Sequence, residues 1–425
     1  MKTKISWIVA LSLVVIVSQA RSGSETGGEA GAALERALLN EDAAAIGAAV
    51  ESLKMTLGEK AGIPEVADVY QLVPADATPL TRQEARRGLA LYFAALDRKR
   101  FWKIGVNPTG LTDPLRVPAS VIGCMTAAAR AKLDDSARGL GYARDAADFL
   151  IWAQQQASAG CYPFPAARGT SSARAMQAGT GLLEKAEKTG NLADTVRNGW
   201  VFEDHGNGGL QFDNGECGVA MFELYQLTKD SRHLDSASKA ADWAGSRPLC
   251  KNWNYNAFSV HLLAEAAAVT GKQNYLAAAA RKALLGVIPG QLTDGPLAGR
   301  WMDAHNSRPA YHYIMLAALA RLASVMPADH PDRVLVMKSL ALGLKARNSE
   351  IVTKGVMNKD KAIETLLLVQ SHFAKDPAFL TDTKTTEALE ILCRFASGIA
   401  RQGKHPLDPR GWGMMLAHLR GSLAE

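Results

Sequence analysis

The sequence predicts an all-α fold of about six helical hairpins in two concentric layers, with a helical extension at the N-terminus. Three observations carry the prediction. Beyond residue 33 nearly every periodic segment repeats at helical spacing, and strand-like alternation is almost absent. Helices that are apolar nearly all round alternate with helices that carry one apolar stripe. Turns within each pair are short, and connections between pairs are long.

The first kind of helix is seen at Gly215–Thr228 (Cys217, Val219, Met221, Phe222, Leu224), at Ala257–Thr270 (Val260, Leu262, Leu263) and at Tyr311–Val325 (Ile314, Met315, Leu316, Leu319). Such helices must be covered on most sides. Each is followed by an amphipathic partner. Ser231–Ala244 carries Leu234, Ala237, Ala240 and Ala241; Lys272–Val287 carries Leu276, Ala279 and Ala283; Asp332–Ala346 carries Val334, Met337, Ala341 and Leu344. Spacings of three and four put each set on one face. A weak internal repeat agrees: Thr228…Leu234 matches Thr270…Leu276, and Ala146-Ala147-Asp148-Phe149 matches Ala240-Ala241-Asp242-Trp243. An open solenoid would leave an exposed stripe on its inner helices, and these helices carry none.

The chain divides into four stretches. Lys2 and Lys4, the apolar run Ile5–Val17 and the small residues around Ser18-Gln19-Ala20 form a signal peptide over 1–20, so the protein is expected to be exported, periplasmic or extracellular. The run is shorter than the ~20 residues of a membrane span, so no stable membrane insertion is expected after cleavage. Residues 21–32 read as a flexible leader, 33–79 as an N-terminal helical extension packed outside, and 80–425 as the main domain. The composition, 48% hydrophobic and 21% charged, excludes a disordered or collagen-like chain. A formal charge of +6 without basic runs interleaved with aromatics gives no footing for nucleic acid.

In alternating antiparallel helices all long connections fall at one end. Here they are 101–117, 157–172, 196–214, 246–256 and 288–310, and long loops in compact domains are usually functional. They collect Trp102, Trp200, Trp253, Trp301, Asp204, His205, Asp213, Asp303, His305 and Arg308. An aromatic rim suits a sugar polymer, whose rings stack on indoles and phenols; the alternative for any one tryptophan is that it plugs the base of a loop. The densest polar stretch, Trp301 to His312, runs off a loop into a buried helix that Pro309 starts. It puts His305, Arg308 and Tyr311 at the helix mouth, a set capable of proton transfer and carboxylate binding. Asp204, Asp213 and Glu216 can bind calcium or act as a carboxylate pair, while Asp213 or Asn214 can simply cap the next helix. Cys250 to Asn256 contributes Trp253, Asn254 and Tyr255, a sugar-site composition in which Asn256 is also a candidate cap. No CxxC or HExxH supports zinc, and no cofactor is required.

The five cysteines lie in an exported chain, where disulfides are permitted. Cys124 with Cys161, and Cys217 with Cys250, each stand near the start and just past the end of one hairpin, so both pairs are expected to bridge, leaving Cys393 alone. The alternative is five buried thiols.

Asp213-Asn214-Gly215 opening a buried helix, the phrase Tyr225-Gln226-Leu227-Thr228-Lys229-Asp230-Ser231-Arg232-His233-Leu234 with its echo at Val269–Leu276, and Cys161-Tyr162-Pro163-Phe164-Pro165 together resemble the (α/α)-toroid carbohydrate-active enzymes. The likeness covers about 140–345 and is greatest to the all-helical polysaccharide lyases of pectate-lyase type, although the tandem Asn-Asn-His of some of these is absent. The resemblance implies a polysaccharide lyase acting on a uronate-containing, anionic chain by β-elimination. Arg308 and Asn254 would take the carboxylate, Tyr311 and His305 would move protons, and Trp200, Asp204, His205, Asp213, Trp253, Tyr255, Trp301 and Asp303 would bind sugar. The alternatives are a glycoside hydrolase on the same scaffold, with Asp213 and Asp303 as its carboxylates, and a non-enzymatic glycan- or protein-binding helical protein.

Overall fold

A computed structural model describes residues 28–98 except 75, 115–133, 136–155, 157, 160–165, 208–404 and 407–422, with positions 184, 187–188, 196–197 and 201–202 besides. The signal segment, Trp102, Trp200, Asp204 and His205 lie outside the described residues.

Two helices come first, α1 (Glu29–Leu39) and α2 (Ala43–Leu57). Asp42 starts α2 by accepting from the N–H groups of Ala44 and Ala45. α1 begins within the stretch read as leader, four residues before position 33. The main body then runs α3 (Arg82–Arg98), α4 (Arg116–Arg130), α5 (Ser136–Gln155), α6 (Leu210–Thr228), α7 (Ser231–Ser246), α8 (Trp253–Thr270), α9 (Gln273–Gly286), α10 (Pro309–Val325), α11 (Arg333–Lys354), α12 (Asp360–His372), α13 (Pro377–Asp382), α14 (Thr385–Arg401) and α15 (Pro409–Ser422). Three two-residue strands form a small antiparallel sheet in the order β1-β3-β2: β1 (Phe164–Pro165), β2 (Val196–Arg197) and β3 (Val201–Phe202).

Neighbour relations define the architecture. α4, α6, α8, α10, α12 and α15 each pack on the next, and α15 packs back on α4, closing a ring. α5, α7, α9, α11 and α14 stand outside as antiparallel partners. α3 covers α15, with Gly88 seated on the Trp412 ring. The sixth hairpin is thus assembled from the two ends of the domain. Closure depends on a close approach at Gly413, where a Cβ would lie 2.5 Å from the Cα of Cys124.

The tight turns follow from residue chemistry. Lys229 (φ 58°) and Gly271 (φ 72°) take the left-handed conformation that ends α6 and α8, and α7 and α9 begin two residues later. Asn214 and Asn256 do not cap; both lie inside the first turns of inner helices. Asn214 accepts from the Tyr162 N–H and donates to the Ala240 carbonyl, and Asn256 accepts from the Cys250 N–H and donates to the Cys250 and Gly286 carbonyls. Each ties a rim loop and the outer helix to an inner one, at the same register as the sequence repeat.

The inner helices begin earlier than their apolar runs suggest, and this removes the expected disulfides. Cys124 lies eight residues inside α4, about 12 Å along its axis, and Cys217 seven residues inside α6, about 10 Å deep. Their intended partners stay at the rim: Cys161 is beside Asn214, and Cys250 touches Gly208 and Gln211. No two of the five cysteines are at disulfide distance. Protein unfolded without reductant is therefore expected to titrate five thiols, and a count of one would reinstate both bridges.

The N-terminal extension does more than pack outside. After α2 seats on the turn at Ile288–Gly290, a strap over 61–74 crosses the rim. It is fixed by Gly62 N–H to Met302 O (2.8 Å), Glu65 N–H to Ala304 O (3.1 Å) and paired bonds between Gln71 and Val356 (2.9 Å).

Candidate functional site

All six inner helices start at the rim that carries the long connections, and their first turns converge on the toroid axis. Three groups of side chains meet there.

The outermost group is built by the turn before α10. Asp303 accepts from the Asn306 backbone (2.8 Å) and side chain (3.0 Å), which shapes the turn and lets Pro309 open the helix. His305 stacks on Tyr311 with ring centroids 4.4 Å apart. The Arg308 guanidinium lies over the Tyr311 ring (4.7 Å) and donates from Nη2 to His305 Nδ1 (2.6 Å). Because Nδ1 accepts, the proton of the neutral imidazole sits on Nε2. Burial, aided by Arg308, lowers the His305 pKa to about 4, so the ring is uncharged near neutral pH. Burial raises the Tyr311 phenol above its ordinary range, while Arg308 and Arg116 pull the other way. Arg308 also holds a carboxylate: Glu65 Oε1, from the strap, is 2.8 Å from Nη2.

Below this lies an apolar cluster separate from the main core, made of Phe212, Tyr255, Phe258, Tyr311 and Ile314 from the first turns of α6, α8 and α10. Arg116 covers Phe212 (3.6 Å) and is locked by two 2.9 Å bonds to the buried Asp213.

The third group faces a cavity of about 60 Å³ at the axis, lined from all six inner helices. Lys361 bridges Glu216 (2.9 Å) and Glu364 (3.3 Å). Arg410 is paired with Glu223, and His261 completes the wall. Burial works against the Lys361 charge, but Glu216, Glu364 and Asp408 outweigh it and hold the ammonium above its ordinary range. Burial, then Asp408, pushes Glu364 well above the ordinary carboxylate range, while Lys361 and Arg410 pull it down. Phe258 and Ile314 line both the cavity and the apolar cluster, so the groups are continuous.

The structure therefore brings His305, Arg308, Tyr311 and Tyr255 together and sets several other expected residues aside. Trp253 is 2% exposed and packs on Gly290, where a Cβ would meet the indole at 2.5 Å. Trp301 is fully buried, donates to the Val287 carbonyl (2.9 Å) and meets His312 edge-on. Both are interior plugs: Trp253 opens α8, Trp301 lies in the connection before α10, and each indole fills the core instead of facing the rim. Asp213 is paired with Arg116, and Asp303 accepts from Asn306. Asn254 is buried and donates to Asn252 and Asn306 (both 2.8 Å), orienting the turn below Arg308; its Oδ1 has no partner among the described residues. The residues that sequence reasoning passed over are Glu65, Arg116, His261, Lys361, Glu364 and Arg410. A signal existed for some: Lys361 and Glu364 are three apart in the first turns of a helix the alternation makes an inner one. Among the described residues no group of three or more His, Cys, Asp or Glu is arranged to hold a metal ion.

No protein-family model matches this chain, and no curated protein matches it. Among solved structures, a glycosyl hydrolase family 88 protein from Bacteroides vulgatus superposes with a TM-score of 0.50 at 13% identity, over 81% of this chain and 99% of that one. A polysaccharide lyase superposes with a TM-score of 0.49 at 13% identity, over 81% and 98%. The closed ring of six hairpins is an (α/α) toroid, the fold it shares with the family 88 structure.

Proposed function

We propose that this toroid is a carbohydrate-active enzyme that cleaves a uronate-containing polysaccharide by β-elimination at the rim of the inner helices. One observation carries the reading: a guanidinium that already holds a carboxylate lies against an uncharged imidazole and a phenol, which are stacked on each other. Elimination requires the uronate charge to be offset so that the C5 proton becomes acidic, then a base for that proton and an acid for the leaving oxygen.

Arg308 offsets the carboxylate. In the resting arrangement it also occupies the lone pair of His305 Nδ1 and depresses its basicity. When Arg308 turns to a substrate carboxylate, the Nδ1 lone pair is released, so the imidazole is free to accept a proton as substrate binds. His305 then takes the C5 proton, and Tyr311, a neutral phenol at rest, gives its proton to the glycosidic oxygen.

Purified protein incubated with a panel of uronate polymers should generate the ultraviolet absorbance of an unsaturated uronate end in step with new reducing ends. The pH profile is a separate check. His305 works as a base only when uncharged, and its depressed pKa keeps it so down to about 4; kcat/KM should therefore hold through mildly acidic pH and fall as pH drops toward 4. An acid limb near 6.5 would remove His305 as the base.

A second reading rests on the axial pair. Glu364, whose burial raises its pKa, and Glu216 share the Lys361 ammonium, and glycoside hydrolysis uses two carboxyl groups of unequal pKa. Reducing ends without the ultraviolet product would favour it, and Glu364→Gln would then abolish turnover.

A further inference from the structure

The strap places one carboxylate where the proposed substrate's own would go. Glu65 Oε1 is 2.8 Å from Arg308 Nη2 and 3.8 Å from His305 Nδ1, on the solvent side of the rim, and its side chain is 35% exposed. The strap does not depend on this contact. Its backbone is tied to Met302 and Ala304, Asp68 is bonded to the buried Arg347 (2.6 Å), and Gln71 pairs with Val356. The Glu65 side chain can therefore swing into solvent while the backbone stays in place, which makes the exchange a rotamer change with no opening of the fold.

We infer that Glu65 is an internal competitor for the carboxylate-binding guanidinium, a residue that sets specificity by admitting only ligands whose carboxylate displaces it from Arg308. This rests on the reading of Arg308 as a uronate clamp. With Glu65 in place the Arg308 charge is balanced, so a neutral sugar gains nothing by displacing it. A uronate exchanges one carboxylate for another, and its affinity is reduced by the cost of that displacement. The contact also keeps Arg308 from drawing other anions to the rim.

The test is a titration calorimetry series on the full chain with free galacturonate and glucuronate, and glucose as the neutral control. It compares the unaltered protein with Glu65→Ala, Glu65→Gln, Arg308→Ala and the Glu65→Ala/Arg308→Ala double variant. Glu65→Ala should bind uronates about two- to fivefold more tightly, a gain expected of one partly exposed ion pair. Glu65→Gln should show a smaller gain, glucose should be unaffected, and the gain should vanish in the double variant. Unchanged or weaker uronate binding in Glu65→Ala, with binding lost in Arg308→Ala, overturns the inference and leaves the clamp standing. Uronate binding that survives Arg308→Ala defeats the clamp and the inference together. A fall in kcat for Glu65→Ala at unchanged uronate affinity would make Glu65 a proton-relay residue and likewise overturn it.

Discussion

Tyr311→Phe is expected to lower kcat on a uronate polymer by roughly two to four orders of magnitude, the usual contribution of a positioned acid or base, while KM stays within about threefold. The substitution removes one hydroxyl and keeps the ring. The stack on His305, the Arg308 guanidinium above it and the neighbouring Phe212, Tyr255 and Phe258 are therefore retained. In the proposed elimination those contacts position substrate and the hydroxyl only moves protons, so the loss should fall on kcat. Steady-state kinetics with a thermal unfolding control checks it. A variant that retains full turnover would mean that elimination, if it occurs, does not run through this phenol, and attention would pass to the axial pair.

Arg347→Ala is expected to cost about 3–5 kcal/mol of stability, the range for removing one partner of a buried ionic network. Arg347 is fully buried. It bonds Asp68 (2.6 Å) and Glu350 (2.9 Å) through Nη1 and the Ser307 carbonyl through Nη2. Arg300 shares the same two carboxylates. One guanidinium thus ties the strap, α11 and the turn that presents Arg308. Its loss would leave Asp68 and Glu350 short of a counter-charge in the interior and release Ser307, one residue from the clamp. Calorimetric unfolding should show the loss, and activity should fall with it at temperatures where the variant is still folded. Arg347→Lys should recover only part of either, since an ammonium cannot span three acceptors set in a fork. A loss below about 1 kcal/mol would show that the strap and the site are energetically independent.

The readable parts of the site were those whose chemistry is local. Trp301 to Tyr311 is one turn and one helix start, and Pro309 fixes where that helix begins, so the proximity of His305, Arg308 and Tyr311 follows from short-range geometry. The tryptophans failed for the opposite reason. Trp253 and Trp301 do lie at the loop end, but which way a loop side chain turns depends on what the outer layer leaves unfilled, and Gly290 leaves a space that Trp253 occupies. The cysteine pairing failed on a boundary: an early start to α4 and α6 carried Cys124 and Cys217 down the helix by about two turns. The axial charges were overlooked because each is a single polar residue on a different helix, and only ring closure sets Lys361 from α12 beside Glu216 from α6.

Helical content, the alternation of enclosed and striped helices and the gathering of long connections at one end are determined by the sequence alone, because periodicity and turn chemistry act over a few residues. Tertiary structure decided the closure of the ring between α15 and α4, the passage of the strap over the rim and the pairing of Glu65 with Arg308, residues more than two hundred positions apart. Those contacts belong to no local pattern; they exist because six helices, packed to fill their shared interior, bring distant segments within reach of one another.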